Sequence, residues 1–262
     1  MRPQDLTALE TAMRQIGADL LDWRSDTQAR VIHSKAEMKL EADRRAHVRL
    51  SKALSDSFPG VPVISEEDAE HIAERPDEYW LIDPIDGTAS WFMGFDGFVT
   101  QAAFVRGSDV TAGLIYAPAT DRFFLGLAGQ GAWLNSNRLP QLARRASVIM
   151  TDNTPAPHGI TQRLAAALPA SGYVESGSLG LKACLVASGD ADIFVKDVVV
   201  RDWDLAPAWA LLHELGAEFL RLDGKPFLFE GAWEKHDGFV IARTAALARR
   251  VIEANNRLCE KE

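Results

Sequence analysis

Two aspartates three residues apart, Asp83 and Asp86, follow a short apolar run and precede a glycine and a threonine. Pro84 disfavours a helical backbone at Asp83, because its ring clashes with the residue before it. Gly87 and Thr88 favour a turn whose free backbone N–H groups point back toward the carboxylates. Two carboxylates beside a helix N-terminus can hold a hard cation and receive a phosphate together. The pattern therefore indicates metal-assisted chemistry on a phosphate group.

Other acids stand at the ends of two further predicted elements. Glu66 and Glu67 follow the apolar run 61–64, and Asp204 stands at the start of a long apolar segment. One Asp-Gly turn alone is most simply a strand end and a helix cap. A strand end and a helix cap would not explain Glu66, Glu67 and Asp204. A site that binds several metal ions through oxygen ligands would require these additional acids.

Three motifs resemble those of the inositol monophosphatase superfamily of metal-dependent, typically lithium-sensitive phosphomonoesterases. They are Glu66-Glu67, the run Trp80–Thr88 and Trp203–Ala206. The first two match the family patterns E-E and W-x-[IV]-D-P-[IL]-D-G-T, the third matches the first four positions of W-D-x-A-x-G, and the order and separation of all three fit. The central motif is highly specific, and the resemblance covers the chain from about Ile32 to Glu218. It implies an α/β fold, namely the layered αβαβα sandwich of the inositol monophosphatase and fructose-1,6-bisphosphatase type.

The resemblance also implies two to three Mg²⁺ ions. One ion would be held by Glu66, Asp83 and the carbonyl of Ile85, and a second by Asp83, Asp86 and Asp204. A third, largely hydrated ion would lie near Glu66 and Glu67. Magnesium suits such a site, because it prefers carboxylates, substrate oxygens and retained waters.

Catalytic roles follow from the same resemblance. The attacking water would sit on the first ion, with Glu66 and Thr88 placed to accept its proton and Asp43 orienting Thr88. The phosphate would rest beside Asp86 on the backbone N–H groups of Gly87 and Thr88, where a helix dipole favours negative charge.

The segment before Asp43 departs from the family. Lys35 and the run Glu41–Arg44 match the family's K-x-D and V-T-E-A-D-R patterns, but Leu40 replaces the threonine and Glu37 replaces the aspartate. The loop between the two patterns is also shorter, so the sequence leaves the role of Lys35 open.

Substrate choice depends on less specific residues. Inositol-type members of the family often place a glutamate seven residues before the metal-binding aspartate, and Asp197 occupies that position here. By this resemblance Asp197 would accept hydrogen bonds from sugar hydroxyls, which favours an inositol-phosphate-like polyol monoester. Lys182, Lys196 and Arg201 could instead serve a second phosphate, as in relatives that hydrolyse 3′-phosphoadenosine 5′-phosphate, and histidinol phosphate is a further alternative. A non-catalytic relative that binds a protein or RNA is disfavoured, because the metal-binding acids are intact.

Composition sets wider bounds. The chain has 262 residues and a formal net charge of −9, which disfavours nonspecific binding to nucleic acid or anionic membranes. Its two cysteines fit no metal-ligand spacing, and the N-terminus does not resemble a signal peptide. We expect a cytoplasmic enzyme that acts on a small molecule, and a homodimer is possible.

The order of predicted elements indicates an α/β fold. The predicted helices cover Leu6 into the thirties, Glu41 to about Leu54, Asp68–Glu74, Ile160–Leu168, Leu179–Ala187, Leu205–Leu215 and a stretch from about Thr244. The predicted strands are Val61–Ile64, Trp80–Ile82, Phe98–Val105, Val110–Tyr116, Arg122–Leu127, Val148–Met150, Asp192–Val195 and Phe239–Ile241. We expect an N-terminal half, residues 1–140, with most metal ligands, and a C-terminal half, residues 141–262, with the last ligand and the specificity segment.

Overall fold

The computed structural model describes residues 1–35, 38–68, 74–146 and 148–260. The α-helices within these ranges are α1 (Thr7–Trp23), α2 (Glu41–Ser57), α3 (Thr88–Met93), α4 (Gly159–Ala167), α5 (Leu179–Ser188), α6 (Asp202–Glu214) and α7 (Ala245–Cys259). The strands are β1 (Ile32–Ser34), β2 (Lys39–Leu40), β3 (Val63–Ser65), β4 (Glu78–Asp86), β5 (Val99–Arg106), β6 (Asp109–Ala117), β7 (Arg122–Leu127), β8 (Gly131–Leu134), β9 (Asn137–Arg138), β10 (Ile149–Asp152), β11 (Gly172–Glu175), β12 (Ile193–Lys196), β13 (Val200–Arg201), β14 (Glu218–Arg221), β15 (Glu234–Lys235) and β16 (Phe239–Ala242).

Two sheets organise the described part of the chain. The first has seven strands within the described ranges, in the sequential order β3 to β9, and only β3 and β4 run parallel in it. The second has five in the same ranges, ordered β11-β10-β12-β16-β14, with β10, β11 and β12 parallel. Short connections explain the antiparallel first sheet, whereas the crossovers through α4 and α5 explain the parallel strands.

Helices cover both sheets and fill the space between them. Helices α1 and α2 pack on the outer face of the seven-stranded sheet, and their apolar stripes share one core cluster with Trp80 and Trp91. Helices α5 and α6 lie between the two sheets, and α4 and α7 cover the far face of the five-stranded sheet. The layers therefore run α, β, α, β, α, and the predicted fold class is confirmed.

Helix α6 lies unusually close to the seven-stranded sheet. A Cβ atom at Gly113 would overlap the carbonyl of Pro207, and one at Gly126 would overlap the backbone of Leu211. Glycine at both strand positions lets the helix backbone approach the sheet directly. This contact fixes the start of α6, which carries Asp204, against the strands that carry the other acids.

Several element predictions need correction. Helix α1 ends at Trp23 rather than in the thirties, because the Asp26 carboxylate accepts from the Gln28 N–H at 2.8 Å and from Arg45, and so forms a turn. Strand β4 does not end at Ile82 but continues to Asp86. Strands β11 and β14 were not predicted, since both are short and half-polar.

Two further sequence predictions, one helix and the division of the chain into two halves, are not tested by the structure. Residues 69–73 of the predicted helix Asp68–Glu74 lie outside the described residues. The division at residue 140 stays a prediction, although the seven-stranded sheet uses residues 63–138 and the five-stranded sheet residues 149–242. No helix among the described residues combines the length and the apolar character that crossing a membrane requires.

Candidate active site

An irregularity in β4 determines the directions in which the side chains of Asp83 and Asp86 point. Asp83 pairs with Gln101 and Asp86 pairs with Val99, so β4 advances three residues where β5 advances two. Such a bulge breaks the strict alternation of side chains, and Pro84 is tolerated there because it has no N–H to pair. The Ile85 N–H donates to the Asp83 carboxylate at 3.0 Å within the bulge. Asp83 and Asp86 can therefore both turn into the layer between the sheets.

The first turn of α2 brings Asp43 to the end of this motif. The Asp43 carboxylate accepts from the Leu40 N–H at 2.9 Å and lies 3.0 Å from the Thr88 hydroxyl. The same hydroxyl lies 2.8 Å from the carbonyl of Ile85, and its single proton can serve only one acceptor at a time. Burial raises the pKa of Asp43 to about 8, with added repulsion from Glu67 and Glu66.

Glu66 lies in the turn after β3, next to Asp83. Its backbone N–H donates to the carbonyl of Ile82 at 3.1 Å, which extends the parallel pairing of β3 and β4 by one bond. The two carboxyl groups lie close enough for a proton on one of them to be shared with the other. Burial raises the pKa of Glu66 to about 7, and it raises that of Asp83 well above its usual range, with repulsion from Glu66, Asp86 and Asp204.

Asp86 is held by the start of α5. Its carboxylate accepts from the Ser178 hydroxyl, from the Gly180 N–H at 2.6 Å and from the Leu179 N–H at 3.2 Å. Burial raises the pKa of Asp86, while these donors and the charge of Lys182 oppose that rise. The sequence predicted a helix after Ser178 but gave no sign that its first turn binds Asp86.

Asp204 comes from the first turn of α6. Its carboxylate accepts from the Arg201 N–H at 2.6 Å, and burial together with Asp86 and Glu66 raises its pKa well above the usual range. Gln101, which sequence reasoning missed, joins this turn to Asp86. Its buried side-chain amide donates to the carbonyl of Trp203 at 2.9 Å and lies 3.4 Å from the Asp86 carboxylate.

The cluster as a whole has the donor chemistry of a site for hard divalent cations. Hard carboxylate oxygens from β4, the β3 turn and α6 repel one another in a poorly solvated layer, and a divalent cation would remove that repulsion. Among the described residues, no group of three or more aspartate, glutamate, histidine or cysteine side chains is arranged closely enough to hold a metal ion. Asp86 and Asp204 accept from nearby N–H groups, Asp86 also accepts from a hydroxyl, and Glu66 and Asp83 can bond to each other only when one of them is protonated. Side-chain rotations and loss of that proton must therefore accompany metal binding.

A cavity of about 480 Å³ opens beside Asp86 and Gly87. Two lysines line it. Lys182 is buried, donates to the carbonyls of Ser176 and Gly177, and has its pKa lowered by burial to about 8. Lys196, at the end of β12, forms an ion pair with Asp152. The cavity therefore offers two cations next to the acidic cluster.

Exposed apolar side chains form the outer part of the same cavity. Met93 is 67% exposed, Phe95 is 66% exposed and Val198 is 48% exposed. Large apolar side chains gathered at the mouth of a cavity are typical of surfaces that contact a ligand.

Two residues predicted to serve the substrate, Asp197 and Arg201, lie elsewhere among the described residues. Asp197 is exposed and pairs with Arg163 of α4 at 3.3 Å, and Arg201 pairs with Glu234 at 2.9 Å. Neither belongs to the described lining of the cavity. Lys35, whose role the sequence leaves open, lies in an exposed turn after β1. The structure thus brings Asp43, Glu66, Asp83, Asp86, Thr88 and Asp204 together, with Lys182 and Lys196 beside them.

Known proteins resemble this chain over most of its length. The model of the Inositol monophosphatase family matches residues 3–260. Inositol monophosphatase 1 of Bos taurus is 28% identical over 219 residues, covering 78% of this chain and 78% of the bovine protein. Inositol-1-monophosphatase of Mesorhizobium japonicum is 28% identical over 222 residues, covering 82% and 81%. The solved structure of an IMPase of Thermotoga maritima matches with a TM-score of 0.81 at 24% identity, covering 100% of this chain and 99% of that one. Because the family model spans nearly the whole sequence, the chain belongs to the inositol monophosphatase family, whose members are phosphatases that hydrolyse phosphate monoesters.

Proposed function

We propose that this protein hydrolyses a small phosphate monoester with two to three Mg²⁺ ions, and that the substrate is an inositol-phosphate-like polyol phosphate. The observation that carries the proposal is the cluster of mutually repelling carboxylates, Glu66, Asp83, Asp86 and Asp204, beside a cavity with two lysines. Positive charge is the principal requirement for hydrolysis of a phosphate monoester, because the transferring group carries negative charge throughout.

The ligands would come from five acidic side chains and one carbonyl. They are Glu66, Glu67, Asp83, Asp86, Asp204 and the carbonyl of Ile85. Magnesium bound there supplies charge neutralisation of the phosphoryl oxygens and activation of the attacking water.

Proton removal falls to Glu66 and to the Thr88–Asp43 pair. The Thr88 hydroxyl can accept a proton only if it passes its own proton on, and the Asp43 carboxylate lies 3.0 Å away to receive it. When Thr88 donates to an ionised Asp43, the carbonyl of Ile85 loses its hydroxyl partner and becomes available to a cation. The hydrogen bond donated by Thr88 therefore links the Thr88–Asp43 pair to the carbonyl of Ile85, which is one of the proposed metal ligands.

The phosphate would be held at the junction of β4 and α3. Gly87 has a φ of 90°, a left-handed conformation that suits glycine, and it lines the cavity at the start of α3, where the first backbone N–H groups of a helix have no partner within the helix. Lys182 and Lys196, which line the same cavity, add positive charge. Lys182 has carbonyl partners and Lys196 has a carboxylate partner, and these contacts hold both side chains in place before a phosphate arrives.

The polyol assignment is supported by the names of the two curated relatives, both inositol monophosphatases. A second candidate, a phosphate monoester that carries an aromatic ring, is favoured by the exposed Met93, Phe95 and Val198 at the cavity mouth. An adenosine bisphosphate or histidinol phosphate would place its ring against these side chains. The position of Asp197 outside the described lining removes one of the arguments for the polyol.

A substrate panel tests the proposal. Phosphate release from myo-inositol 1-phosphate, 3′-phosphoadenosine 5′-phosphate, histidinol phosphate and fructose 1,6-bisphosphate should be compared by kcat/KM in magnesium buffer. We expect the highest value for the inositol ester, and Phe95→Ala should leave it within about twofold, since one rim contact contributes little. A tenfold preference for the adenosine bisphosphate, together with a selective loss in Phe95→Ala, would replace the polyol with a nucleotide. No hydrolysis of any ester would refute the catalytic proposal itself.

A further inference from the structure

A second cavity, of about 460 Å³, lies at the end of the five-stranded sheet opposite the candidate active site. Asp192, just before β12, belongs to its lining, whereas Lys196 at the other end of β12 lines the active-site cavity. The four residues of this strand separate the two cavities by roughly 10 Å. The second cavity is therefore distinct from the site described above.

Four arginines line this second cavity, against one carboxylate among its described lining residues. They are Arg144, Arg145, Arg243 and Arg250. The carboxylate, Asp192, is fully engaged, because it accepts from Arg243 at 2.6 Å, from Arg145 at 2.8 Å and from the Ile149 N–H at 2.7 Å. Two guanidinium groups thus share one negative charge, and the remaining two arginines increase the excess of positive charge in the cavity lining.

A structural role accounts for only two of these arginines. Arg145 and Arg243 also donate to the carbonyl of Gly189, at 2.9 and 3.3 Å, and so brace the turn between α5 and β12. Arg144 and Arg250 are exposed, and neither side chain has an ion-pair or hydrogen-bond partner among the residues that the structure describes. Their convergence with the braced pair on one cavity is not needed for the fold.

The charge of the cavity is opposite to that of the protein. The chain carries 37 acidic and 28 basic residues, yet this cavity gathers four cations and one anion. The planar guanidinium fork matches phosphate oxygens bidentately, and arginine is weakly hydrated, so such a cavity favours phosphate over a single carboxylate. Its apolar wall, formed by Val148, Pro169 and Leu247, excludes water from one side of the arginines.

We propose that this cavity binds a small-molecule anion with two or more linked phosphate groups, independently of catalysis. The net positive charge of the lining exceeds what one phosphate would neutralise. Arg243, which is 9% exposed, lies at the inner end, where a ligand small enough to enter can reach it but a flat membrane surface cannot. A nucleic-acid backbone would likewise contact only the exposed Arg144 and Arg250.

Calorimetric titration of the full chain with methylenediphosphonate, a diphosphate analogue that cannot be hydrolysed, tests the proposal in magnesium-free buffer, where the uncompensated acids of the candidate active site repel the analogue. The double variant Arg144→Gln/Arg250→Gln should raise Kd at least tenfold. Arg249→Gln, a neighbouring exposed arginine outside the described lining, should leave Kd unchanged, and so should Lys196→Gln at the candidate active site. Both arginines of the double variant are exposed, so its circular dichroism spectrum should match that of the wild type.

Other outcomes would overturn the proposal. If the analogue does not bind, or if Lys196→Gln weakens binding while the double variant does not, this cavity is not the site. A single-stranded oligonucleotide provides the remaining comparison. Binding of the oligonucleotide that depends on Arg144 and Arg250, without binding of the diphosphonate, would show that the surface serves nucleic acid rather than a small molecule.

Discussion

Glu66 should make the metal-free protein less stable as the pH rises. Burial raises the pKa of its carboxyl from 4.5 to about 7 in the folded state. Between these values the folded protein keeps a proton that the unfolded chain has lost, so the free energy of unfolding falls as the pH increases. Below pH 4.5 both states are protonated and this penalty is absent, and above pH 7 it is fully present.

The size of the effect follows from the same pKa values. A rise from 4.5 to about 7 corresponds to about 3 kcal/mol. Asp43, whose pKa is raised to about 8, adds to the loss in the same direction and extends it to higher pH. Bound Mg²⁺ should cancel most of this penalty, because a cation stabilises the ionised carboxylates.

Urea unfolding in a chelating buffer and in magnesium buffer, at several pH values from 5 to 8, measures the effect. In the chelator the free energy of unfolding should fall by about 3 kcal/mol or more across this range, and magnesium should flatten the profile. Glu66→Gln should reduce the slope in the chelator, whereas Glu253→Gln on the exposed side of α7 should not. Stability that is constant or rises with pH in the chelator would refute the reasoning, as would an unchanged slope in Glu66→Gln.

Two substitutions test local geometry. Thr88→Ala removes the hydroxyl that links Asp43 to the reacting region and should lower kcat by about 10²–10⁴. Thr88→Ser keeps the hydroxyl and should retain most activity. Equal losses of kcat in both variants would contradict the role of the hydroxyl. Gly97→Ala would drive a Cβ into the backbone of Gly177 beside the cavity and should cost more than about 2 kcal/mol in urea unfolding. Gly172→Ala, where the nearest atom would be 3.3 Å from the new Cβ, is the control. A smaller loss of unfolding free energy in Gly97→Ala than in Gly172→Ala would show that the backbones of Gly97 and Gly177 are not in close contact.

The family and the layered fold could be predicted from the sequence, and both are confirmed. The reason is that the central motif is local. Pro84 and the Asp-Gly-Thr run impose a turn whichever tertiary contacts surround them, and the strand–helix order then limits the layers. The bond between Asp43 and Thr88 was expected from the resemblance, and the structure places the two side chains 3.0 Å apart.

Other parts of the site depend on contacts between distant segments, which no local pattern records. Gln101 contacts the start of α6 more than a hundred residues away, and Gly180 donates to Asp86 from another layer. Asp197 has the right chemistry for a sugar hydroxyl, but Arg163 of α4 pairs with it outside the described lining of the cavity. Sequence spacing predicts which residues can meet along one element, and it does not predict which way a loop turns.

The central claim is that buried acids hold the magnesium that drives phosphate ester hydrolysis, and Asp83 tests it most directly. Phosphate release from myo-inositol 1-phosphate should be measured for the wild type and Asp83→Asn, with magnesium and with a chelator. Asp83→Asn removes a charge that we expect two ions to share, so turnover should fall by about 10³ or more while the circular dichroism spectrum stays the same. Asp22→Asn, on the exposed face of α1, should keep wild-type activity and its magnesium dependence. Full wild-type activity in the chelator, or an Asp83→Asn variant that keeps more than a tenth of wild-type turnover, would contradict the account.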